Sequence, residues 1–323
     1  MNRPPELDFS RLRTVPIGSR EDKLAAAQLA ARPAAGADAT FGAFLESLPD
    51  VLVAADLRAL VRAIADAVRS RAERRGAVLC MMGGHVVKTG LSPVLIDLAE
   101  RGVITAFAAN GSTAIHDYEL ARWGGTSEDV EAGLADGTFG MAEETGRGIN
   151  EAIRRGAAEE RGLGEALGLD LAGRDDLVAG EHSILLAAHR LGLPFTVHSA
   201  IGAEITHQHP ATDGAAIGAA SFRDFRRLAA HLEGLEGGVA LNIGSAVMMP
   251  EVFLKALTVC RNANDGAPRV FVTADMDMIR HYRPRVNVVE RPTRTGGGKG
   301  YQITGHHEIM VPLLAWAVVN ELA

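Results

Sequence analysis

Cysteine is almost missing from this chain: among 323 residues there are two, Cys80 and Cys260. Both stand in apolar surroundings, which reads as a pair of buried thiols and argues against a disulfide framework or a cysteine-built metal knot. Positive charge is also short. Lys and Arg number 33 against 40 acidic residues, a formal net charge of −7, so neither nucleic acid nor an anionic membrane is expected as the main partner. No apolar run approaches the ~20 residues of a membrane span. The N-terminus carries no signal-peptide core, and the expectation is a cytoplasmic protein. Two nucleotide signatures are lacking as well. There is no Gly-x-Gly-x-x-Gly, and the glycine loop around Lys299 has neither a following Ser or Thr nor a leading strand, which excludes a Walker A loop.

What is present is an alternation of short apolar runs with helical patterns. An apolar run at 77–82 ends at Gly83-Gly84 and a polar turn holding His85 and Lys88. An amphipathic segment at 91–101 follows, closed by Gly102. A second apolar run, 103–109, breaks at Asn110-Gly111, and a helix restarts at Ala114. That is a βαβ unit whose loops both leave the carboxyl ends of strands, the edge at which parallel sheets bind ligands. Further strands are read at 195–199, 239–243 and 270–273, a short edge strand at 283–289, and a flexible glycine loop at 295–300. Helices are read at 20–32, 39–48, 52–75, 150–161, 183–191, 222–232, 251–260 and 307–322. The fold class that follows is α/β, a Rossmann-like doubly wound parallel sheet. Residues 1–75 form a helical N-terminal region, beginning as an arm, and residues 76–323 the α/β body.

The residues able to carry chemistry cluster just after the strands. His116-Asp117-x-Glu119 groups ionisable side chains on the opening of a helix beside a small-residue loop. Gly244-Ser245 before a helix is a fair phosphate cradle. His207-x-His209 has a spacing that suits a metal such as zinc, and His306-His307 adds further ligands. For these four histidines a metal site, catalytic or substrate-binding imidazoles, and structural hydrogen bonding all remain open. Lys299 stands equally for a lid lysine and for a solvated loop lysine.

In order along the chain, the segments Gly84–Gly90, Ala109–Glu119, Leu191–Val197, Asn242–Val247, Val272–Asp277 and His306–Leu314 together resemble the deoxyhypusine synthase family and its bacterial relatives, over roughly residues 75–320. The resemblance implies a Rossmann-like sheet that binds NAD, in a homotetramer with sites between subunits. It also implies oxidation of an amine, an imine, and transfer of an aminobutyl group to a lysine. By the same resemblance the NAD-facing residues are Gly84, His85, Lys88, Asn110, Gly111, Gly244, Ser245, Thr273, Ala274 and Asp277. The substrate half departs from the family. There is no Trp-Gly-Lys motif, Lys299 being only near it in order, and His207 and His306 stand where the family has acids that hold a cationic polyamine. Three functions follow as expectations. One is an NAD-dependent enzyme acting on a small polar substrate, amines included, through a transient hydride step, with His116, Asp117, Glu119, His207, His306 and Lys299 as catalytic candidates. Another is a metal-dependent lyase or hydrolase using His207, His209, His306 and His307. The third is a non-catalytic nucleotide-binding protein.

Overall fold

A computed structural model describes residues 7–19, 23–74 and 76–323. Its centre is a six-stranded sheet of β1 (Val78–Met82), β2 (Ala106–Asn110), β3 (Phe195–His198), β4 (Val239–Ile243), β5 (Val272–Asp277) and β6 (Lys299–Thr304). The spatial order is β3-β2-β1-β4-β5-β6 and every pairing is parallel. This is the 3-2-1-4-5-6 order of a doubly wound Rossmann sheet, so the fold class read from the sequence forms. The order reverses between β1 and β4, which puts the crevice of such a sheet at their carboxyl ends.

The sheet is covered on both sides, which is why its central strands read as continuous apolar runs. Successive strand residues point to opposite faces. Val78, Cys80 and Met82 join one core with the helices Leu52–Arg69, Ser92–Glu100, Gly111–Trp123 and His307–Leu322, while Leu79 and Met81 join a second core with Gly214–His231 and Met248–Ala263. Both cysteines are buried and free. The Leu52–Arg69 helix buries Leu57, Leu60, Val61 and Ile64, one stripe of its surface, in the first core.

Several boundaries differ from the reading. Asn110 is not the start of a loop: its side chain caps the next helix by accepting from the Thr113 N–H, and that helix begins at Gly111, directly off the strand. The segment 283–289 is not a strand but a continuous set of helical turns, Tyr282–Pro284 and Arg285–Glu290. The edge strand is instead β6, which begins within the stretch expected to be a flexible loop, because Lys299 donates to the Phe271 carbonyl and starts the pairing with β5. A helix at Leu163–Ala172 was not anticipated. Of the helix expected at 20–32, residues 20–22 lie outside the described residues and the remainder holds a single turn, Ala26–Gln28. Residues 1–6 of the expected arm also lie outside them.

The two central strands leave the sheet in contact. Gly83 donates to the Ile243 carbonyl at 3.0 Å, and a Cβ on Gly83 would stand 2.3 Å from the Gly244 carbonyl oxygen. Both sides of that clash are backbone. Gly83→Ala should therefore lower the unfolding free energy by about 1–3 kcal/mol. Gly214→Ala, at an open first helical position, should leave it unchanged or raise it slightly. Urea denaturation of the two variants against wild type checks this; equal midpoints would contradict it.

Candidate active site at the carboxyl edge

The helix that starts at Gly111 carries the first half of the site. Its sixth and ninth residues, His116 and Glu119, stand three positions apart on one face. Asp117 points the other way. It is fully buried and accepts from Ser183 Oγ (2.6 Å), Ile184 N (2.7 Å) and Leu185 N (3.1 Å), capping the Ile184–Leu191 helix. Burial pushes its pKa up to about 6 against those hydrogen bonds. The expected role of Asp117 in orienting catalytic groups is thus corrected: it fixes a neighbouring helix.

His116 and Glu119 line a cavity of about 200 Å³ together with Lys88, Ser112, Ser127, Glu128, Phe139, Glu204 and Ile205. The cavity lies where the segments following β1, β2 and β3 meet. His116 Nδ1 is 2.8 Å from Thr126 Oγ1, and its Nε2 has no hydrogen-bond partner among the described residues. Burial, then the charge of Lys88, holds its pKa down at about 4, so it is a neutral imidazole at pH 7. Glu119 accepts from the hydroxyls of Thr126 and Thr145. Lys88 has no ion-pair partner among the described residues.

Glu204 is the residue that the sequence reading passed over. It was one polar group in the stretch after β3, overshadowed by the histidines beside it. Its Oε1 accepts from Ala200 N at 2.9 Å, and the side chain packs against Gly111 at the helix N-terminus. A Cβ on Gly111 would lie 2.5 Å from the Glu204 carboxyl carbon, so this contact needs glycine there. The side chain is 6% exposed. Its Oε2 lies 3.0 Å from His207 Nε2 but makes no aligned hydrogen bond, leaving a buried carboxylate oxygen without a partner. Burial raises the Glu204 pKa to about 7 against its backbone hydrogen bonding, and burial lowers that of His207. Glu204, at about 7, thus stands above His116, at about 4, which inverts the usual order of a glutamate and a histidine.

The other candidates are distributed along the same edge or away from it. His209 is buried against Gly146 and stands 3.1 Å from Glu143 Oε2. His307 is buried with its Nδ1 2.9 Å from His85 Nδ1, and its Nε2 reaches the Met276 carbonyl at 3.2 Å. His306 is exposed. Among the described residues no group of three or more His, Cys, Asp or Glu side chains is placed to hold a metal ion. The four histidines form separate contacts, and the zinc expectation on them finds no geometry to rest on. Lys299 pairs with Val272 at the start of β5, the amino edge of the sheet, with its Nζ 5.0 Å from the Tyr301 ring centre. The length of a strand separates it from the cavity, which corrects its expected catalytic place. Thr273 and Ala274 are interior residues of β5 with no exposure, and only Asp277 reaches the carboxyl end.

A dinucleotide can be tested against these turns. Gly84 is filled in from one side: a Cβ there would meet Ser112 Oγ at 2.8 Å and His116 Cδ2 at 3.1 Å. The N-terminus at Gly111 is taken by Glu204. At the reversal of strand order, however, the backbone N–H groups of Ser245, Ala246 and Val247 have no partner among the described residues and open the 16-residue helix Met248–Ala263. That is the arrangement a diphosphate needs. Gly244 (φ +66°) turns the chain into it, beneath His307. The Gly244-Ser245 turn thus presents donors suited to a diphosphate, whereas Gly111 faces the Glu204 side chain and Thr273 and Ala274 are buried within β5.

No family model matches the chain, and no curated protein matches it in sequence. Its shape is similar to that of solved proteins. A conserved candidate LOR/SDH protein from Methanococcus maripaludis S2 is 15% identical, with 85% of this chain and 72% of that one covered and a TM-score of 0.53. A candidate deoxyhypusine synthase from Entamoeba histolytica is 9% identical, with 88% and 94% covered and a TM-score of 0.51. Unliganded AgrE is 16% identical, with 84% and 34% covered and a TM-score of 0.53; this chain spans about a third of it. At such identities the likeness shows the fold, and the fold is a Rossmann-like α/β sheet.

The raised pKa of Glu204 carries a signed consequence. The folded protein holds that proton from about pH 4.5 up to about 7, whereas the unfolded chain loses it near 4.5. The associated stability is complete below pH 4.5 and is lost as pH rises through 7. Glu204→Gln, which cannot ionise, should therefore gain on wild type between pH 4.5 and 8, by on the order of 1–3 kcal/mol. Chemical denaturation of both proteins across that range reads it; a difference independent of pH would contradict the assignment.

Proposed function

We propose that the protein is an NAD-dependent enzyme of the deoxyhypusine-synthase-like type that acts on a small polar substrate held in the cavity beside His116. The observation that carries this reading is the meeting, at the carboxyl edge, of a neutral imidazole whose Nε2 makes no hydrogen bond among the described residues, a Lys88 with no ion pair among them, and a Glu204 Oε2 that makes no hydrogen bond, with only His207 Nε2 3.0 Å away. Clustered groups with displaced pKa values in a cleft favour a catalytic task over plain nucleotide binding. At about 200 Å³ the cavity is smaller than the roughly 300–1,000 Å³ of sites for drug-sized ligands. It suits a substrate of modest size, with the dinucleotide along the open edge outside it.

Gly84 joins the two regions, because the turn that walls the cavity is also the first of the two turns facing the strand-order reversal. The backbone N–H groups from Ser245 to Val247 would hold the diphosphate, with His85 alongside. NAD, when bound, supplies a hydride acceptor. The chain's own share is proton handling and orientation. His116 Nε2 takes the proton of a substrate hydroxyl or amine as hydride leaves the adjacent carbon. Lys88 offsets negative charge at the cavity mouth, and Glu204 Oε2 receives a substrate donor. Lys299 has no part in this, and aminobutyl transfer to a lysine is not included in the proposal. Exposed apolar side chains at the same edge, Ile201, Val247, Ile279 and Ile309, support the proposal that copies of the chain assemble there as a homotetramer.

NAD at one hundred times its dissociation constant should stabilise nucleotide-free protein by about 2.7 kcal/mol. Thermal melts with NAD and with NADP, over a concentration series, check this. A melting temperature unmoved by millimolar amounts of either would overturn the cofactor assignment.

A further inference from the structure

Thr126 lies in the coil between two helices, of which the second, Val130–Asp136, is capped by Asp129. Its side-chain contacts are with the first. The Gly111–Trp123 helix stops at Gly124 in the left-handed region (φ 72°), whose N–H returns to the Leu120 carbonyl. The chain then doubles back along the helix. This reversal lays the Thr126 hydroxyl between two side chains that one helical turn separates, with His116 Nδ1 at 2.8 Å on one side and Glu119 Oε2 on the other. Nδ1 and Oε2 are themselves 4.0 Å apart, so their interaction passes through the hydroxyl. Thr145, from the Glu143–Ala158 helix, holds the second oxygen of Glu119 at 2.9 Å.

We propose that Thr126 is a positioning residue that, backed by Glu119, holds His116 in the Nδ1–H tautomer and turns a bare Nε2 into the cavity. The direction follows from counting hydrogens. A hydroxyl has one proton, and here it goes to the Glu119 carboxylate. Thr126 Oγ1 can then only accept from the imidazole, which places the ring proton on Nδ1 and leaves the Nε2 lone pair toward substrate. When Nε2 takes a proton, the Nδ1–H bond to Thr126 persists, and the new positive charge faces Glu119 across the hydroxyl. The arrangement resembles, in role, the carboxylate that orients a general-base histidine, with a threonine interposed. This rests on His116 as the proton acceptor but not on NAD or on any particular substrate.

Imidazole ¹⁵N spectra of the full chain, with the His116 signals assigned by their loss in His116→Gln, test it without turnover. Wild type should show protonated Nδ1 and bare Nε2 at neutral pH. Thr126→Val, which keeps the shape and removes the hydroxyl, should lose that pattern in favour of the Nε2–H form or a mixture. Thr126→Ser should restore it, as a purely structural threonine would not require. A wild-type spectrum with the proton on Nε2 overturns the assignment by itself, even if Thr126→Val fails to fold. An unchanged tautomer in folded Thr126→Val overturns it as well. Either result leaves the NAD melts standing, so this inference and the cofactor reading fail separately.

Discussion

The Glu204 carboxyl group packs against Gly111, the first residue of the Gly111–Trp123 helix, and the cavity is built outward from that contact. Glu204 can reach the helix only because residue 111 has no side chain. Its position there holds the segment after β3 against the segment after β2, which closes one wall. The positive end of the helix favours an anion, yet the surroundings are dry enough to raise the Glu204 pKa to about 7. The same dryness, with Lys88 nearby, lowers His116 to about 4. One desolvated space thus displaces an acid upward and a base downward, which is how a fold prepares opposite proton-transfer roles at one pH.

The sheet explains why these groups meet. His116, Glu204 and Ser245 are far apart in sequence, but each follows a parallel strand and so returns to the same edge. The contact of the β1 and β4 exits through Gly83 and Gly244 then fixes how far the His116 cavity lies from the Gly244-Ser245 turn. Lys299 shows the same rule in reverse. Being at the start of a parallel strand, it is delivered to the opposite edge whatever its neighbours in sequence resemble.

Much of this was legible before any coordinates. The buried runs at β1 and β4 and the glycine turns after them announce the strands and the edge at which they end, and the clustering of His116 with Glu119 on one helix is readable from their spacing. The failures have physical causes. Asn110-Gly111-Ser112-Thr113 has the composition of a loop, but the Asn110 side chain supplies the cap that lets a helix begin at once. The β-branched residues at 286–289 suggest a strand, and tertiary packing made them helical. The glycines before Lys299 suggested mobility, whereas the pairing of β6 with β5 starts right after them. Glu204 and Thr126 are beyond sequence reading because their significance lies in contacts, a buried carboxylate packed on Gly111 in one case and a bridging hydroxyl in the other.

The central claim is that one edge of the sheet serves both a dinucleotide and a small substrate, and a crystal structure of the protein grown with NAD tests it most directly. The account predicts density for the diphosphate on the N–H groups of Ser245 to Val247, between the Gly84 and Gly244 turns, with the cavity at His116 left free beside it. A nucleotide bound at the amino edge near Lys299, or filling the His116 cavity itself, would contradict the account.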